Sequence, residues 1–150
     1  MVGYTQDSDP EKTSKALGTN LKASPKKCSE VARNIRGMKV EQAKKFLLEV
    51  IAQKRAVKYT HYKHYLSHKP GVGPGRYPEN ACREILRVIE SAQHNAEYKG
   101  LDSENMKIHT IAIHRGPPIK GVDRRAMGRG TQWNTLTVHV EIILEELEVS

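Results

Sequence analysis

The chain has 150 residues, enough for one domain with a sizeable core plus appendages. Lys and Arg number 25 against 17 Asp and Glu, giving a net charge of +8, and only 37% of residues are hydrophobic, low for a chain held together wholly from within. That balance points to a polyanionic partner, and no apolar run approaches the ~18 residues of a membrane span, which excludes a helical membrane protein.

Residues 1–13 are polar, begin acidic and are expected to form a flexible tail without a secretory signal. Lys15 to Lys22, around Leu17 and Leu21, is a short strand candidate. Ser24-Pro25 opens a helix, with a side chain able to cap and then proline at the first helical position. Cys28, Val31, Ala32 and Ile35 recur at helical spacing, and Gly37 is the expected stop. A second helix runs from about Val40 to Lys54, with Ala43, Phe46, Leu47, Val50 and Ile51 as its apolar stripe and lysines opposite.

Residues 57–77, VKYTHYKHYLSHKPGVGPGRY, break the pattern. They read as a basic loop rich in tyrosine and histidine, whose glycines and prolines exclude regular structure at its end. A third helix opens at Pro78-Glu79, buries Ala81, Ile85, Val88, Ile89, Ala92 and Ala96, and closes at Lys99-Gly100. Strands follow over about Met106–His114 and Thr135–Glu145. In the latter, Leu136, Val138, Val140, Ile142 and Leu144 alternate with Thr137, His139 and Glu141, which predicts one buried and one wet face. The fold class is α+β: three helices packed on a small antiparallel sheet of about three strands, in a single domain spanning 1–150.

Between the last two strands lies HRGPPIKGVDRRAMGRGTQWN, from His114 to Asn134. Arg115, Lys120, Arg124, Arg125 and Arg129 stand there against one acid, Asp123. So long a connection is unusual unless it has a role. Residues 115–133 read as an extended β-hairpin arm; roughly nine residues each way, at ~3.3 Å per residue, reach about 30 Å. An isolated two-stranded ribbon is marginal in water, and glycines weaken it further. The arm is therefore expected to be mobile alone and ordered by a polyanion, with RNA the expected one. Trp133, at its foot, is expected to anchor the arm on the core; base stacking is the other reading.

A second anion site is expected at the start of the first helix. Lys26 and Lys27 lie where the macrodipole disfavours cations, so either a phosphate docks on the free N–H groups or the pair is simply solvated. Arg33 and Arg36 extend the basic surface. Lys58, Lys63 and Arg76 add to it from the 58–76 loop, whose Tyr59, Tyr62 and Tyr65 suit stacking on exposed bases.

Other chemistry is weakly supported. His61, His64 and His68 would share a helical face, and Cys82 could complete a zinc site, but no CxxC or HExxH pattern accompanies them. Cys28 has no assignable histidine partner, and Glu90 and Glu97 fall on an exposed helix face. No catalytic residue, metal or cofactor is expected. Both cysteines fit a reduced compartment as small apolar side chains, although sequence alone leaves a disulfide open.

Three stretches, SPKKCSEVARNIRGMKVEQAKKFLLEVI, AQHNAEYKGLD and RRAMGRG, make the chain resemble the family of large-subunit ribosomal protein twenty-two, numbered seventeen in eukaryotes. The resemblance covers about residues 14–146, keeps motif order and is similar to the archaeal and eukaryotic branch. It departs at Lys120-Gly121, where many relatives carry Lys-Arg, and at Arg124, where they carry Pro or Tyr.

The resemblance implies a small globular domain with a long β-hairpin running inward between rRNA segments. Such a protein binds large-subunit rRNA, meets neighbouring ribosomal proteins, assists subunit assembly and is not an enzyme. Its hairpin tip, here Val122, Asp123, Arg124, Arg125, Ala126 and Met127, lines the polypeptide exit tunnel and meets the nascent chain. The location implied is the cytoplasmic ribosome, with no membrane partner. Two competing readings are a free-standing nucleic-acid-binding or chaperone-like module and a metal-dependent hydrolase built on the histidine cluster.

Overall fold

The computed structural model describes residues 3–147. Its main sheet has three antiparallel strands in the order β1-β8-β5, where β1 is Thr13–Leu21, β5 is Met106–Arg115 and β8 is Val138–Glu146. Ala16 and Ile111 flank Ile142 across the sheet, and Gly18 and Ile113 flank Val140. Three helices cover one face: α1 (Pro25–Ile35), α2 (Val40–Ile51) and α3 (Glu79–Lys99). α3 lies on β1 and β8, α1 on β5, and α2 on α3.

The helices form where the apolar spacing and the punctuation agree. Pro25 occupies the first turn of α1, although the Ser24 side chain makes no capping bond. After Arg36 the chain turns back at once: the Gly37 N–H donates to the Ile108 carbonyl, and the Ile108 N–H donates to the Met38 carbonyl. That exchange ties the end of α1 to β5. α2 ends at Ile51, three residues short of the expected Lys54, because Gln53 has a left-handed φ of 58°. α3 ends at Gly100, whose φ of 77° lets its N–H reach back to the Glu97 carbonyl (3.0 Å). The buried faces of the helices meet Val138, Val140, Ile142 and Leu144 in one core.

Two expectations need correction. Residues 57–77 are not an irregular loop. β2 (Val57–Lys58), β3 (His68–Lys69) and β4 (Gly73–Arg76) form a small sheet in the order β2-β4-β3. β3 and β4 are a tight hairpin around Pro70, Gly71 and Val72, and β2 joins β4 from farther upstream; all three are too short for periodicity to announce them. Pro74, which has no N–H, still pairs through its carbonyl, which accepts from the Tyr59 N–H (2.9 Å).

The other correction concerns β8, which has no wet face. Glu141 and Ile143 are fully buried, and His139 is nearly so. The N-terminal segment runs over this side: the Thr5 N–H and hydroxyl both donate to the Glu141 carboxylate (3.0 Å), and the Thr110 hydroxyl donates to Gln6 Oε1 (2.7 Å). The Asn20 N–H donates to His139 Nδ1 (3.1 Å).

Beyond β5 and before β8 the two chain segments continue to pair with each other. The Gly116 N–H donates to the Thr137 carbonyl, Ile119 pairs with Thr135, and β6 (Val122–Arg124) pairs with β7 (Gly130–Gln132). A short 3-10 turn, Ala126–Gly128, joins them, with Met127 at a left-handed φ of 60°. Every residue from 117 to 136 is exposed or half-exposed, so this ribbon adds nothing to the core.

Candidate nucleic-acid interface

The start of α1 offers free backbone donors. Proline has no N–H, the first intrahelical bond runs from the Cys28 N–H to the Ser24 carbonyl, and the first turn carries no acid. Beside it is a hollow of about 320 Å³ lined by Lys26, Lys27, Tyr59, Tyr62, His64 and Arg76. The Lys26 ammonium lies 5.4 Å from the centre of the Tyr62 ring, a cation–π contact that holds the ring at the hollow's wall. Lys27 and Ser24 also line a groove of about 530 Å³ that runs past the start of α3 to Thr135 and Leu136 at the foot of the ribbon. The small sheet, the start of α1 and the arm's foot thus share one continuous surface, on which Lys22, Lys26, Lys27 and Arg76 stand against Glu79.

Glu30 builds this surface from beneath. Its carboxylate is fully buried and accepts the backbone N–H groups of Thr60 (3.1 Å), His61 (2.9 Å) and Tyr62 (2.9 Å). Burial pushes its pKa up, but those three N–H groups and the Arg33 charge outweigh it and hold the carboxyl below the ordinary carboxylate range. The segment after β2 is thereby pinned to α1. Tyr59 is 4% exposed, and burial pushes its phenol up to about 12.

The expected contact residues fall into groups. Lys26, Lys27 and Arg76 meet in the hollow. Lys58 and Lys63 are exposed but line neither hollow nor groove. Arg33 and Arg36 are exposed on α1's other side, and each already has a partner. The Arg33 guanidinium donates to the Thr60 hydroxyl (3.2 Å), and that of Arg36 donates to the Ile111 carbonyl on edge strand β5 (3.1 Å). Arg115 ends β5; Lys120, Arg124, Arg125 and Arg129 are exposed along the ribbon. Arg125 Nε lies 3.6 Å from Asp123 Oδ2, so the single acid of the arm is countered.

Val122, Asp123, Arg124, Arg125, Ala126 and Met127 cluster at the turn, where Met127 is 93% exposed. Trp133 does not anchor the arm: it is 65% exposed, because its backbone pairs with Gly121 out on the ribbon, away from the core.

The residues for competing chemistry are not assembled. His61, His64 and His68 lie on bends, a turn and β3, so no helix sets them on a shared face. Among the described residues no group of three or more His, Cys, Asp or Glu could hold a metal ion. Burial pushes both thiols, Cys28 and Cys82, up to about 12, the reverse of an activated nucleophile.

Sequence reasoning missed Glu30 and misplaced two others: Tyr59, expected to stack on exposed bases, is buried in the core, and Glu141, expected on a wet face, is buried in the sheet. Glu30 carries no sequence signal, being an acid beside apolar positions of an amphipathic helix. Glu141 has one: Ile142, Ile143 and Leu144 are consecutive apolar residues, which a strand with one wet face would not carry.

The family model described as ribosomal protein L22p/L17e matches residues 16–145. The chain is 48% identical over 145 residues to the large ribosomal subunit protein uL22 of Methanopyrus kandleri, covering 94% of this chain and 91% of that one. It is 44% identical to the protein of that name from Methanocella arvoryzae, over 97% of both chains. With its counterpart from Methanothrix thermoacetophila it shares 47% identity, over 89% of this chain and 90% of that one.

Proposed function

The chain belongs to the ribosomal protein L22p/L17e family, and from that premise we propose that it is a structural constituent of the large ribosomal subunit that binds rRNA, assists subunit assembly and lines the polypeptide exit tunnel with the tip of its arm. The family is one of structural ribosomal proteins, so the chain is not an enzyme. Its place is the cytoplasmic ribosome, beside neighbouring large-subunit proteins.

The observation that carries the rRNA reading is the ribbon between β5 and β8. It is paired only with itself, has no buried side chain between residues 117 and 136, and carries five cations, counting Arg115 at its root, against Asp123. Protein contacts within the chain do not hold it, whereas phosphates along both sides would. Arginine suits that role through planar, bidentate hydrogen bonds to phosphate oxygens.

The hollow at the start of α1 supports a second contact. A phosphate there would accept the free N–H groups of the first turn, and Lys26 and Lys27 would flank it, turning an unfavourable placement into a favourable one. Arg76 closes the hollow, and Lys58 and Lys63 extend the contact outward. Arg33 and Arg36 serve as well, each with N–H groups left over beyond its internal bond. At the far end Val122 to Met127 face the tunnel and the nascent chain. The turn there is narrow, and its exposed residues are one cation-rich pair and short or flexible apolar side chains.

The test is cofractionation with large subunits through a high-salt gradient, followed by mapping of rRNA crosslinks from residues 115–130. Crosslinks to tunnel-wall nucleotides from the turn, and to other rRNA from Arg115 and Lys120, are expected. Recovery of the chain only in the soluble fraction would overturn the reading in favour of a free-standing nucleic-acid-binding module.

A further inference from the structure

Trp133 is the only tryptophan of the chain, and 65% of it faces solvent. The pairing of the ribbon explains why. The Trp133 N–H donates to the Gly121 carbonyl at 2.8 Å, and Val122 stands opposite Gln132 and Ile119 opposite Thr135, so Gly121 lies directly across from Trp133. Side chains directly opposite each other in an antiparallel ribbon share a face, and neighbours along a strand alternate. Ile119, Gly121 and Asp123 therefore share Trp133's face with Thr131 and Thr135. Lys120, Val122 and Arg124 share the other with Gln132 and Asn134.

The position across from the indole holds no side chain, and it accepts none. A Cβ on Gly121 would lie 2.5 Å from the Trp133 carbonyl oxygen. The ring has no cross-strand neighbour to rest on. Asp123, the acid on its face, is countered by Arg125 at 3.6 Å.

Two kinds of partner cover an exposed indole. An apolar protein groove needs a contiguous apolar patch to be worth desolvating. Here only Ile119, 47% exposed, joins the ring, and glycine, threonine and aspartate separate them from any further apolar residue on that face. A nucleobase needs only one ring to stack on, with cations close by for the phosphates on either side of it. Arg125 and Arg129, which pair with each other farther out on the ring's own face, supply those cations, and Lys120 and Arg124 offer more on the opposite face.

We propose that Trp133 is a stacking platform for one unpaired nucleobase of large-subunit rRNA, while the cations on its own face and on the opposite face of the ribbon hold backbone phosphates. The inference rests on the rRNA-binding reading above and adds a contact that a purely electrostatic arm does not require.

Because the tryptophan is unique, its emission reports on this position alone. The full-length chain is titrated with a large-subunit rRNA transcript and, separately, with inorganic polyphosphate, which offers charge without bases. Quenching by the transcript but not by polyphosphate is expected. Trp133→Ala weakens transcript binding about tenfold, leaves polyphosphate binding unchanged, and keeps the melting temperature of the parent chain; Trp133→Phe recovers most of the loss. Unchanged emission on a bound transcript, with the alanine variant at full affinity, overturns the stacking contact and leaves the rRNA reading standing. The stacking contact is equally overturned if the alanine variant keeps its RNA affinity but loses a neighbouring ribosomal protein. Absence of any transcript binding sinks both readings.

Discussion

Glu30 sits in α1 with its carboxylate wholly out of water, and successive backbone N–H groups of Thr60, His61 and Tyr62 converge on it. Those bonds are made to the ionised form, which is why its pKa lies below that of a free carboxylate despite burial. A lowered folded pKa means that the stabilisation is complete above the unfolded value, about 4.3, and is lost as pH falls through the folded one. Glu30→Gln keeps an acceptor but loses the charge. It is expected to destabilise the fold by about 2–3 kcal/mol at neutral pH and to flatten the acid limb of a stability–pH curve measured by urea denaturation. A variant whose acid limb matches the parent's would refute the assignment.

The cysteines make an opposite case. Burial pushes both thiols up to about 12, so neither offers thiolate at neutral pH. In the folded chain both are expected to resist a thiol-reactive dye for as long as the protein stays folded, and to react fully in denaturant. The small apolar role of Cys28 was legible from its place in the helical stripe. Glu30 was not, because its partners come from a segment 30 residues away and backbone N–H groups leave no mark on a sequence.

At the scale of elements, periodicity read well wherever an element meets the core along one face. α1, α3, β5 and most of β8 come from local spacing and from Gly37 and Gly100 as stops. It failed where an element is very short or its partner lies far along the chain. β2, β3 and β4 are two to four residues each, too short for alternation to register; β3 and β4 form a tight hairpin, and Glu30 and the Tyr59–Pro74 backbone bond hold the segment after β2 against it and α1. The second face of β8 was misread for a related reason: Thr5 and Gln6, in a polar stretch with no pattern, satisfy Glu141 and Thr110.

Removing residues 3–9 takes the Thr5 donors from the Glu141 carboxylate and uncovers that face of the sheet, leaving His114 Nε2 beside it at 3.7 Å; the lost hydrogen bonds to a charged group cost about 1.5–3 kcal/mol. The truncated chain is expected to melt lower, and Glu141→Leu in that background to recover much of the loss, since an apolar side chain needs no donor. Deleting Pro117–Gly130 has the contrary outcome. No residue of that span is in the core, so far-ultraviolet circular dichroism and the melting temperature of the remainder are expected to change little.

Taken whole, the molecule divides its stability unevenly. Most of it is built on a continuous core under three helices; residues 117–136 are a ribbon with backbone pairing and nothing beneath it. Opening free energies run from near zero in such exposed segments to the global value in the core. In the free chain, amide hydrogens at Ile119, Arg125 and Trp133, which donate across the ribbon, are expected to exchange within seconds, and those at Val140, Ile142 and Leu144 to wait for global unfolding. Bound rRNA changes only the first group. If about five phosphates are neutralised along the arm, log K falls against log salt with a slope near −4.5 on a duplex coefficient, and Arg129→Ala lowers that slope by about one. Protection of the ribbon amides should therefore appear on binding and vanish again as salt is raised, while the core amides stay unmoved. Ribbon amides that are already slow in the free chain at high ionic strength would mean that the arm supports itself, and that phosphates are not what orders it.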